Sequence, residues 1–65
     1  MAKSLSSTDV LKALKAAGWM VVRQTGSHIH LRHAALPGTV TVPAGRRDLA
    51  KGTLRSIERQ AKLRF

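Results

Sequence analysis

The sequence predicts an α+β fold of order α-β-β-β-α, a three-stranded antiparallel sheet with both helices on one face. Three observations carry this. Apolar residues recur at helical spacing near both ends of the chain, three strand-like runs lie between them, and the connections between those runs are short. Sixty-five residues are too few for two domains, so residues 1–65 read as one compact unit. A unit this small buries only about 60% of its unfolded surface, so its core must be small and efficient.

The first helix begins after a short polar lead. Ser6-Ser7-Thr8-Asp9 offers N-caps and places a carboxylate in the first turn, where the helix dipole favours it. Val10, Leu11, Leu14 and Ala17 then share one side while Lys12 and Lys15 take the other. Gly18 is a natural stop, which sets the helix at about Ser7 to Ala17.

Trp19 to Gln24 is rich in strand formers, and Thr25-Gly26 reads as the turn that follows. A second strand over 27–33 holds the cleanest period-two alternation in the chain, His28-Ile29-His30-Leu31-Arg32. Pro37-Gly38 punctuates the next loop. Thr39-Val40-Thr41-Val42 forms a third strand that Pro43 ends. A basic loop, Ala44 to Asp48, leads into a second helix at about 51–62. Gly52-Thr53 lies near its start, with Leu54, Ile57 and Ala61 inward and Arg55, Arg59 and Lys62 outward.

Sheets bury at least one face, so Ile29, Leu31, Val40 and Val42 should meet Leu11, Leu14, Leu54 and Ile57. The first strand leaves two registers open, with either Trp19 and Val21 or Met20 and Val22 inward. Trp19 reads as core more than as a platform for stacking bases.

Composition narrows the function. Twelve Lys and Arg face three acids, a formal charge of +9. Such an excess costs self-repulsion and points to a polyanionic partner, nucleic acid before an acidic membrane. A membrane binder would concentrate its charge on one amphipathic helix, whereas here it is spread along the chain. No apolar run approaches the roughly 18 residues of a membrane span. The leading residues lack a signal peptide's apolar stretch, and cysteine is absent, which excludes disulfides and thiolate metal sites. A cytoplasmic location and no cofactor are the expectations.

Alternation places His28, His30 and Arg32 on the sheet face opposite Ile29 and Leu31, about 7 Å between neighbours. Arg23 joins them if its register allows. Three readings compete: polar decoration of a wet face, a metal site, and acid–base work on RNA. The metal reading lacks ligands, because His33 falls on the other face and the acids number three. Acid–base catalysis needs only imidazole and nearby cations to hold a phosphate, with no metal or carboxylate pair. Exposed aromatic platforms for stacking single-stranded bases are missing, so binding must lean on phosphate contacts and shape.

These residues also resemble a known family. Gly18-Trp19, Val22-Arg23-Gln24-Thr25-Gly26-Ser27-His28, Val40-Thr41-Val42-Pro43, Gly52-Thr53-Leu54-Arg55-Ser56-Ile57 and Gln60-Ala61 are similar, in order, to the HicA-type toxins of bacterial toxin–antitoxin pairs. The likeness runs from about Ser7 to Leu63. It implies a fold like a double-stranded-RNA-binding domain and a ribosome-independent mRNA interferase whose histidine follows Gly-Ser, here His28. It also implies a HicB-type antitoxin partner that covers the active site.

The candidate site is then His28 as general base or acid. His30, Arg23, Arg32, Arg46, Arg47 and Lys51 are candidates for contact with mRNA. Gly26 supplies turn geometry, and Ser27, pointing coreward, fixes the turn. Two departures from the family stand out. Ala44-Gly45-Arg46-Arg47 replaces the histidine many relatives carry after strand three, and Ala61-Lys62-Leu63 replaces a common Ala-Gly-Leu. The competing reading is a non-catalytic basic RNA-binding module.

Overall fold

The computed structural model describes residues 5–65; Met1 to Ser4, part of the polar lead, lie outside the described residues. Helix α1 spans Ser7–Ala16, followed by β1 (Trp19–Thr25), β2 (His28–His33), β3 (Val40–Pro43) and α2 (Lys51–Ala61). The strands form one antiparallel sheet in the order β1-β2-β3. The predicted order and sheet are therefore those observed, with boundaries shifted by a residue.

Ser6 caps α1 through a reciprocal pair: its hydroxyl accepts from Asp9 N at 3.1 Å, and Asp9 Oδ2 accepts from Ser6 N at 3.0 Å. Both bonds satisfy amides that the first turn would otherwise leave unpaired. The buried Ser7 then ties α1 to the far loop. Its hydroxyl donates to Pro43 O and accepts from Arg46 N, while its amide donates to Arg46 O at 2.9 Å. The helix stops one residue earlier than expected, and Ala17 is exposed rather than part of the apolar stripe.

One core joins both helices to the sheet: Val10 and Leu14 from α1, Ile57 and Ala61 from α2, Trp19, Leu31, Val40 and Val42 from the strands, and Leu49. Ile29, Leu11 and Leu54 are half-buried against it. Cross-strand pairing aligns Ile29 with Val42 and Leu31 with Val40, so these aliphatic side chains share the inner face.

Of the two registers left open by the sequence, the first strand starts in the one with Trp19 inward, and Met20 and Val22 are exposed. Trp19 pairs with His33 and Val21 with Leu31, so this end of β1 turns Trp19 inward. The register then shifts between Val21 and Arg23, leaving Val22 as a one-residue bulge. Beyond it Arg23 lies opposite His30 and Gln24 opposite Ile29. Unbroken alternation would put Arg23 and Trp19 on the same face, because they are four residues apart.

Two turn assignments need correction. Thr25 belongs to β1 and pairs with His28, so the two loop residues are Gly26 and Ser27. Gly26 has φ +57°, the positive value that a tight hairpin asks of its first loop residue. Ser27 precedes β2 instead of opening it, and it is exposed rather than coreward. Its part in the turn is played by the backbone, whose carbonyl accepts from Ala44 N at 2.7 Å.

His33 fastens the end of α1 to the sheet. Its Nδ1 accepts from Ala35 N at 2.9 Å and Leu36 N at 3.3 Å, so Nε2 carries the proton and donates to Ala17 O at 3.0 Å. The ring also meets Trp19 edge-on, centroids 5.3 Å apart. Gly18 permits this approach: its φ is +98°, and a Cβ there would stand 2.7 Å from His33 Nε2. Gly18→Ala should therefore cost about 2–4 kcal/mol, from left-handed strain and loss of the imidazole bonds. A thermal melt should show the midpoint falling by more than about 10 °C. An unchanged melt would mean that the clamp contributes nothing.

The last turn of α2 closes on Lys62. This residue takes φ 54° and ψ 42°, a left-handed conformation in which a glycine would sit without strain. The amide of Leu63 reaches back to Glu58 O at 3.1 Å, and Phe65 N donates to Glu58 Oε2 at 2.9 Å. The helix therefore ends where a glycine would end it, at a cost of about 1 kcal/mol.

Candidate active site on the open face of the sheet

Because Leu31 is fully buried and Ile29 half-buried on the core side, their neighbours on β2 face away from the helices. His28 and Arg32 are exposed there, and His30 is half-buried between them. The bulge at Val22 adds Arg23, directly across from His30. On the other side of His30 stands Thr41, whose Oγ1 lies 3.3 Å from His30 Nδ1.

A hollow of about 420 Å³ opens at this place, lined by Val22, Arg23, His30, Arg32 and Thr39. It brings two guanidiniums and one imidazole to a single concavity of the size a nucleotide needs. His28 is outside this lining. It sits two residues along the same strand face, beside the hairpin turn, paired with Thr25 and Pro43. None of the three strands contains a carboxylate, so every side chain of fixed charge on the face that carries both histidines is a cation.

The basic loop approaches the same end of the sheet as His28. Ser27 O holds Ala44 N, and the loop continues through exposed Arg46 and Arg47 to exposed Lys51 at the start of α2. The backbone of Arg46 is fixed by the Ser7 bonds, which holds this loop in place without using the guanidinium. The candidates thus fall into two groups: Arg23, His30 and Arg32 around the hollow, and Arg46, Arg47 and Lys51 along the loop that leaves β3 and the start of α2.

Sequence reasoning left Thr41 out, although its place between Val40 and Val42 already assigns it to the open face. Thr39 carries the same signal by its alternation with Val40, whereas Val22 carries none, because a bulge positions it. The larger hollow of the molecule, about 790 Å³, lies elsewhere, against Gly52, Arg55, Glu58, Arg59, Leu63, Arg64 and Phe65, and it contains no histidine. Among the described residues no three His, Asp or Glu side chains gather as a metal-ligand set. Nor is any described helix long and apolar enough to cross a membrane.

Comparison with known proteins agrees with the fold. The family model described as HicA toxin of bacterial toxin-antitoxin matches residues 7–63. A chain of the solved "HicA3 and HicB3 toxin-antitoxin complex" is similar in structure, with a TM-score of 0.82 and 31% identity. The match covers 94% of this chain and 98% of that one. No curated protein matches the sequence.

Proposed function

The chain belongs to the HicA toxin family, and on that premise we propose that it is the toxin of a toxin–antitoxin pair, an endoribonuclease that cleaves mRNA without the ribosome and is neutralised by a HicB-type antitoxin. The observation that carries the reading is the exposed His28, directly after Gly26-Ser27, on a sheet face that bears arginines and no carboxylate. An imidazole there can take a proton from an attacking hydroxyl or return one to the leaving oxygen. Arg23 and Arg32, in the hollow beside His30, hold the adjoining phosphate and so keep the RNA strand in place against His28. Arg46, Arg47 and Lys51 extend the cationic track along the RNA backbone.

His30 is the supporting histidine. Thr41 orients its ring and the hollow receives it, so it contacts the nucleotide next to the one on which His28 acts. A site of imidazole and guanidinium groups carries out this chemistry without a divalent ion. Purified protein incubated with an mRNA in excess EDTA should therefore still cut it, with fragments visible on a denaturing gel. Binding without fragments would leave a basic RNA-binding module instead.

A further inference from the structure

Strand β1 is an edge of the sheet and carries three adjacent exposed apolar side chains: Met20 at 67% of full exposure, Val21 at 44% and Val22 at 53%. They are the large hydrophobic residues that the described chain leaves most open. Isolated exposed aliphatics are ordinary, but a strip of three in a row on an edge strand leaves that edge apolar on both of its sides, an exposure of the kind that marks an interaction surface. The strip has two sides: Met20 lies opposite Arg32 on the open face, while Val21 lies opposite Leu31 on the helix side.

The charges around the strip select its occupant. Arg23 follows it in the chain, Arg32 flanks Met20, and Lys12 and Lys15 are exposed on α1, which packs against β1. The three acids of the chain, Asp9, Asp48 and Glu58, all lie outside β1 and β2. A second copy would bring another +9 and the same arginines to the contact, and like charges facing each other oppose it. Bare nucleic acid would satisfy the arginines but leave the aliphatic side chains without partners. A segment bearing both carboxylates and apolar anchors satisfies both requirements.

We propose that the Met20-Val21-Val22 strip is a docking surface for an acidic, apolar-anchored segment of the antitoxin. This rests on the antitoxin partnership proposed above. Seated on β1, such a segment pairs its carboxylates with Arg23 and Arg32 and so withdraws from RNA the two guanidiniums that line the His30 hollow. Neutralisation then works by competition for cations, in addition to any steric cover over His28.

Val21→Lys isolates the docking role, because Val21 faces away from the histidines and is exposed enough to accept lysine. Calorimetry of this variant, and of Met20→Lys, with a HicB-type antitoxin that binds the parent should show affinity reduced at least tenfold. RNA cleavage by Val21→Lys should stay within twofold of the parent, and its thermal melt should be unchanged. Undiminished affinity in both variants would overturn the proposal. So would a dimer of the free toxin, seen by light scattering, that both lysines dissolve. The binding measurement needs no RNA, so it stands whether or not the protein proves to be a nuclease.

Discussion

His28→Ala is expected to lower RNA cleavage by about 10²–10⁴-fold, the usual contribution of a positioned general acid or base. The fold should survive, because His28 is exposed and its neighbours Ile29 and Leu31 supply the buried contacts of the strand. Surface substitutions of this kind alter stability by no more than about 0.5 kcal/mol. Single-turnover cleavage of a defined RNA, paired with a thermal melt, reads both quantities. His30→Ala should cost less, since that ring holds the neighbouring nucleotide and does not move the proton. Full activity in the His28 variant would remove the catalytic assignment, and a full loss in the His30 variant alone would transfer it.

The second large effect is on salt dependence. Five cations, Arg23, Arg32, Arg46, Arg47 and Lys51, are the proposed contacts to RNA phosphates. Each neutralised phosphate on a single strand contributes about −0.7 to the slope of log affinity against log salt. The expected slope is about −3.5, so raising salt from about 50 to 200 mM should weaken binding about 100-fold. Fluorescence anisotropy with a short oligoribonucleotide and the His28→Ala protein measures this without cleavage. A flat response would mean that these arginines stay solvated while RNA is held by other contacts.

Much of the architecture was legible because its signals are local and periodic. Strand β2 announced its two faces through strict alternation, and Val40 and Val42 did the same for β3. The cap at Ser6 with Asp9 is a short-range pattern that sequence displays directly. The first strand was legible only in part, because a bulge has no compositional signature and Trp19-Met20-Val21-Val22 is apolar at every position. The same gap left the position of Arg23 open, since its face depends on where the register slips.

Other features depend on contacts between distant segments. Ser7 looks like one more capping residue, yet it is the buried anchor of the loop at 44–48. His33 looks like a third polar histidine, yet its two nitrogens bind backbone groups from α1 and from the loop after β2. Ser27 was placed coreward on the assumption that β2 begins there, and one residue of difference moved it into the exposed hairpin turn. The catalytic candidate was unaffected by that shift, because its orientation follows from Ile29 and Leu31.

The slip at Val22 also bears on how related sequences should be aligned. With Val22 removed, Val21 opposite Leu31 and Arg23 opposite His30 become consecutive rungs of an ordinary ladder. Indole and guanidinium then keep their opposite sides with one residue fewer between them. A relative with a gap at this point can therefore preserve the whole reactive surface, and one that restores the spacing without the kink cannot.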